Sequence, residues 1–245
     1  MNKNIRDMSY EEIMDSPMLG LDDSFPFRCK SCGKCCKHRE DILLTPYDVY
    51  RLARYLERKP EEIIEGYCEV YEGHSSHLPV VRIVPRPPEN SCPFLRNKKC
   101  AVHAGKPVLC RVFPLARISR GMGKAEFYYG EGPKCGHGMG ITTVRNWIAD
   151  VAFDESERAG VIWTVALQRI IPTINENRKA RSSEDNSRIL DAFFSTMYLP
   201  YDTAKDFAAQ CQENTDALCD LLLNQYGIKV PSLDEIMKIM EENKQ

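Results

Sequence analysis

The sequence lacks any long apolar run. Its most apolar stretch, Ala159 to Leu167, is closed off by Arg158 and Arg169 and is far too short to span a bilayer, so no membrane is expected. The opening residues, MNKNIRDMSYEEIMDSP, are polar and acidic where an export signal would be apolar. The cytoplasm is therefore the expected location, where thiols stay reduced and a disulfide framework is not expected. There is no Gly-rich strand-to-helix fingerprint for a nucleotide and no phosphate loop. No nucleophile–base set stands out, and Asp and Glu fall mostly on predicted helix surfaces. Catalytic residues therefore stay unassigned. Internal repeats and low-complexity tracts are missing too.

What the chain has is cysteine, 11 in 245 residues. Eight lie in loop-type contexts between Cys29 and Cys135, four of them in Cys29-Lys-Ser-Cys32-Gly-Lys-Cys35-Cys36. No ordinary folding need puts four thiols so close together. In a reducing compartment such a run points to ligands for a metal ion or an iron–sulfur cluster. The remaining candidates, Cys92, Cys100, Cys110 and Cys135, each sit among turn formers: Pro93, the Asn97-Lys-Lys turn, Pro107, and the Gly132-Pro133 and Gly136 frame. Gly33 after Cys32 can take a positive φ that turns backbone N–H groups toward sulfur. Cys68, Cys211 and Cys219 fall instead on apolar helical stripes and are expected in the core.

Adjacent side chains diverge, so Cys35 and Cys36 are expected to serve different centres. Eight ligands divide into two four-thiol centres, or one centre plus a spare thiol. The run Cys-x2-Cys-Gly-x-Cys resembles that of bacterial ferredoxins, with Cys92-Pro93 as a remote fourth ligand. Arg39 stands where the ferredoxin run has its fourth cysteine. Zinc also takes closed four-cysteine sites. The balance tilts to iron–sulfur.

Charge is divided along the chain. Residues 28–135 hold 20 Lys and Arg against 12 Asp and Glu, whereas the flanking segments are acidic. Cations around thiols lower thiol pKa values and offset thiolate charge. The basic residues are scattered, so nucleic acid is not the expected partner.

Three segments follow: an arm over 1–27, a cysteine region over 28–139 and a helical region over 140–245. The fold class is mostly α, with an irregular metal-organised cysteine domain carrying a few short strands. Thr45-Pro46-Tyr47-Asp48 predicts a helix start continued by Val49, Leu52, Ala53 and Leu56. A second helix is predicted from Pro60 to about Val70, and strands over Val80–Val84 and Ala125–Tyr129. Further helices are predicted over Gly160–Ile171, ending at Pro172, then Arg188–Leu199, Thr203–Tyr226 and Leu233–Glu242. Residues 173–186 are expected to be a surface loop. Trp147 and Trp163 are expected in the core.

The histidines are weaker candidates. His103 lies three residues after Cys100, a spacing zinc tolerates, yet a partly buried ring filling an aromatic slot is the simpler expectation. His38 and His137 are expected beside the site or in solvent, and His74 and His77 on the surface. Arg111 is expected to reach sulfur or to pin its loop, with a solvated charge as the alternative.

The ordered set Cys29-x2-Cys32-Gly33-x-Cys35-Cys36, Leu44-Thr45-Pro46-x-Asp48-x2-Arg51-Leu52, Cys92-Pro-Phe-Leu95, Cys100 and Cys110-Arg-x-Phe-Pro114 resembles the YkgJ-type cysteine-cluster proteins. The resemblance covers about residues 28–139 and implies a zinc- or iron-chelating domain. It departs at His103, where the family commonly has an aromatic, and at Lys106, where it commonly has Arg. Flagellin lysine N-methylases look similar in their cysteine region. Three functions stay open: a metal module that is structural or serves assembly with a protein partner, an iron–sulfur oxidoreductase or electron carrier, and a protein-modifying enzyme such as a methyltransferase.

Overall fold

A computed structural model describes residues 8–118, 126–129, 136–149 and 153–242. Cys135 and Ala125 lie outside the described residues. About half of the chain is helical, and the strands are short and antiparallel.

The helices are α1 (Tyr10–Met14), α2 (Pro46–Leu56), α3 (Pro60–Tyr67), α4 (Val108–Val112), α5 (Val144–Ile148), α6 (Phe153–Arg178), α7 (Ser183–Tyr198), α8 (Phe207–Tyr226) and α9 (Leu233–Glu242). The strands are β1 (Ser24–Phe27), β2 (Leu43–Leu44), β3 (Cys68–Glu72), β4 (Pro79–Ile83), β5 (Leu95–Arg96), β6 (Lys99–Cys100), β7 (Leu115–Ile118), β8 (Glu126–Tyr129) and β9 (His137–Thr143). They form a three-stranded sheet in the order β2-β4-β3 and the pairs β1-β9, β5-β6 and β7-β8.

The largest core joins α2, α3 and the three-stranded sheet to α6, α7 and α8. Val49, Leu52, Ile63 and Val81 meet Ile170, Ile174, Ile189, Met197, Leu218 and Leu222 there. A second core gathers Phe25, Phe27, Val112, Phe127 and Ile148 between the two outer strand pairs. Tyr47, Tyr50, Tyr201 and Phe207 fill a third, with Cys211 fully buried among them. The end of the N-terminal arm is therefore tied in, because β1 pairs with β9 more than a hundred residues away.

Several predicted elements form as expected. Thr45 caps α2 in a capping box with Asp48, and Gly227 closes α8 at a φ of 65°. Several helix boundaries differ from those predicted. The second helix ends at Tyr67, and Cys68 opens β3, although it still packs against the main core. The helix expected to stop at Pro172 instead runs on to Arg178.

Packing explains the second difference. A proline inside a helix costs about 3 kcal/mol, but Ile170 and Ile174 flank it one turn apart and are both fully buried. Burying two isoleucines returns about 3–6 kcal/mol. Beyond the proline, Asn175 Nδ2 donates to Ser76 O at 2.9 Å and Arg178 Nη1 to His77 O at 2.6 Å, anchoring the extra turn to the β3–β4 connection. The polar stretch 173–186 is thus mostly helix, with Ser182 capping α7.

Candidate metal centre

The CxxCxxCC run is built as a tight loop. Gly33 takes a φ of 72° and starts a 3-10 turn over Lys34–Cys36. A Cβ there would lie 3.1 Å from Leu95 Cδ1 and 3.2 Å from Lys98 Cα, so only glycine lets this loop rest on the β5-β6 hairpin without displacing it. That hairpin turns through Asn97 and Lys98, both at positive φ, and pairs Leu95 with Cys100. Leu95 N–H donates to Cys92 O at 3.0 Å, and Cys92 N–H donates to Cys36 O at 2.7 Å. The first cysteine loop and the hairpin are therefore stitched together at the backbone.

Cys110 arrives on α4. This short helix is anchored from α2, where buried Asp48 accepts from Val108 N–H at 2.7 Å through Oδ1 and from Thr45 N–H at 2.9 Å through Oδ2. Burial raises the Asp48 pKa, and the Val108 and Thr45 donors work against that rise.

Cys35, Cys36, Cys92, Cys100 and Cys110 lie close enough to act on one another's ionisation. The first two come from the loop, the next two from the hairpin and its lead, and the last from α4. Cys35 Sγ and Cys36 Sγ are 3.9 Å apart, so these neighbours do not diverge as their adjacency led us to expect. Two sulfurs bound at ~2.3 Å to one tetrahedral zinc lie about 3.8 Å apart. The donor set and this spacing both fit a thiolate-bound metal. No three Cys, His, Asp or Glu side chains among the described residues converge tightly enough, as they stand, to share one ion.

The electrostatics separate the thiols. A hydrogen bond from Cys36 lowers the Cys35 pKa against its burial, helped by Lys106 and Arg39, while the same bond raises Cys36. Burial raises Cys92 and Cys100 and pushes Cys110 up to about 12. Metal charge is the usual replacement for those protons. Backbone amides are aimed at three of the sulfurs in the same way. Ser31 N–H donates to Cys29 Sγ at 3.4 Å, Phe94 N–H to Cys92 and Val102 N–H to Cys100, each from two residues onward. Hydrogen bonds of this kind favour thiolate.

Arg39 was legible only as a departure from the ferredoxin run. It is 5% exposed, donates from Nη1 to Cys35 O at 3.1 Å and from Nε to Asp41 at 2.6 Å, and its charge favours the thiolates of Cys35, Cys92 and Cys110. Lys106 does the same for Cys35 and Cys100. Cation excess in a cysteine-rich stretch was the available signal for both.

The other candidates fall outside this group. Cys29 is exposed. Cys32 is disulfide-bonded, so it can ligate a metal only after reduction, and the expectation of wholly reduced thiols is not met there. Cys135 is outside the described residues, as is the side chain of His137. His38 is exposed. His103 is exposed too and does not fill a buried aromatic slot; its carbonyl accepts from Arg111 Nη1 at 3.2 Å, so Arg111 pins the loop. His77 faces Glu72 at 3.4 Å on the surface. Cys219 packs at the edge of the main core, as does Trp163, while Trp147 packs on the second.

Residues 28–136 match the model of the CxxCxxCC family, described as a "Putative zinc- or iron-chelating domain". Over 90 residues the chain is 28% identical to the uncharacterized protein MJ0661 of Methanocaldococcus jannaschii, a stretch amounting to 36% of this chain and 44% of that protein. The chain thus spans less than half the length of this curated relative. No solved structure matches the chain.

Proposed function

We propose that the cysteine region binds a metal centre, an iron–sulfur cluster or zinc, through thiolates drawn from Cys35, Cys36, Cys92, Cys100 and Cys110. The observation that carries this reading is the gathering of these five thiols from separate stretches of chain, with amides and the cations Arg39 and Lys106 directed at them. Either centre takes four thiolates. Their summed negative charge exceeds that of a divalent ion, and the two cations offset the remainder. Cys29, Cys32 and Cys135 stay in the ligand pool, Cys32 once reduced.

The resemblance to the ferredoxin run favours iron–sulfur over zinc. A bound iron–sulfur cluster would supply one-electron chemistry, whereas zinc would supply folding free energy on the order of 10 kcal/mol. The protein's own part is to hold the thiols, bury Cys110 in part and screen their charge.

Serine substitutions test the assignment. Cys92→Ser and Cys110→Ser should purify with little metal, whereas Cys211→Ser, altered in a different core, should keep the full complement. Full metal content in both of the first two variants would overturn the ligand set.

A further inference from the structure

A second candidate site lies against α2. A cleft of about 310 Å³ opens between α2 and the loop that joins Cys100 to Cys110, lined by Arg51, Arg54, Tyr55, Ala104, Gly105 and Glu155. Arg51 and Arg54 are three residues apart on α2 and so share one face. Neither is ion-paired among the described residues.

Arg51 is held ready. Its guanidinium lies 5.7 Å from the centroid of the Tyr47 ring, and its Nη2 donates to Ala104 O at 2.7 Å. Its Nη1 is buried and has no hydrogen-bond partner. A buried donor without a partner carries the full cost of its lost hydration. A guanidinium held beside the cleft by these contacts keeps its positive charge there, which favours an oxyanion.

The opposite wall is shaped to leave the space open. Gly105 presses on α2 so closely that a Cβ there would sit 2.6 Å from Tyr55 Cβ and 3.3 Å from Arg51 O. Tyr55 hydroxyl donates to Ala101 O at 3.2 Å and Arg111 Nη1 to His103 O at 3.2 Å, so the loop is clamped at both sides of the cleft. Glu155 contributes one carboxylate against two guanidinium groups, leaving the lining positive.

We propose that Arg51 and Arg54 form an oxyanion-binding site, which takes the phosphate or carboxylate group of a small ligand in the cleft beside Ala104 and Gly105. This site stands apart from the metal reading and does not depend on it.

The test is titration of the full chain with inorganic phosphate and, separately, with succinate, followed by calorimetry and by the amide signals of Ala104 and Gly105. Saturable binding of either anion is expected. Phosphate alone would point to a phosphorylated ligand, and succinate, alone or as well, to a carboxylate. Arg54→Gln, an exposed change, should weaken binding about tenfold while leaving the melting temperature and metal content unchanged. Arg58→Gln, on the same exposed segment but outside the cleft, should bind as the unaltered chain does. Failure of both anions to saturate, or equal affinity in Arg54→Gln, would overturn the proposal.

Discussion

Replacing Asp48 with alanine should be among the most damaging single changes outside the cysteines. The carboxylate is 3% exposed and accepts four hydrogen-bonding approaches at most, of which Val108 N–H at 2.7 Å, Thr45 N–H at 2.9 Å and the Thr45 hydroxyl at 2.8 Å are formed. Alanine leaves two backbone donors facing a dry interior, each costing about 1–3 kcal/mol. Part of that loss is recovered, because burial already works against the Asp48 charge. A net cost of roughly 2–4 kcal/mol follows from that balance. Thr45→Ala removes only the cap hydroxyl and should cost about 1 kcal/mol. Urea unfolding of the two variants beside the unaltered chain measures both. The same pair separates stability from site geometry, since Asp48, and not Thr45, accepts from the first residue of α4, and Cys110 lies on that helix. Asp48→Ala should release metal to a chelator faster than Thr45→Ala does. If Asp48→Ala unfolds at the same urea concentration as Thr45→Ala, the clamp between α2 and α4 carries no energy and the reasoning fails.

In the metal-free, reduced chain at neutral pH, limiting iodoacetamide should modify Cys35 well before Cys92, Cys100 or Cys110. The Cys35 pKa is held down by its neighbour and two cations, whereas burial pushes the other three up. Equal labelling of the four by peptide mass spectrometry would contradict that ordering. Pro172→Ala should stabilise the chain by about 1–2 kcal/mol, since the exposed proline interrupts a continuous helix whose formation costs about 3 kcal/mol there, less the entropy gained by the unfolded chain. A lower melting temperature would refute it. Gly105→Ala should destabilise by about 1–3 kcal/mol through the clash with Tyr55, and a neutral result in thermal unfolding would show that the loop shifts freely.

Local chemistry was legible in the sequence, and distant partnership was not. Thr45, Pro46 and Asp48 announce a helix start because every group in a capping box lies within four residues. The same sequence gives no sign that Asp48 spends its other oxygen on Val108, sixty residues on. Glycine after Cys32 pointed to positive φ, and Gly33 adopts it. The adjacency of Cys35 and Cys36 misled, because a 3-10 turn brings their sulfurs together where an extended chain would part them. Pro172 misled for the opposite reason: a strong local breaker was outweighed by the burial of Ile170 and Ile174. The pairing of β1 with β9 left no trace in local pattern, since β1 has only four residues, its register shifts between Phe25 and Phe27, and its partner lies more than a hundred residues on. Residue types alone offered eight candidate thiols, but which thiols meet depends on the hairpin register at Leu95 and Cys100 and on the placing of α4.

The central claim is that the gathered cysteines hold a metal. Anaerobic purification followed by a visible spectrum and elemental analysis of one sample tests it most directly. The account expects stoichiometric metal: either a brown protein with iron and acid-labile sulfide, or a colourless one with zinc. A folded protein that contains neither would contradict it.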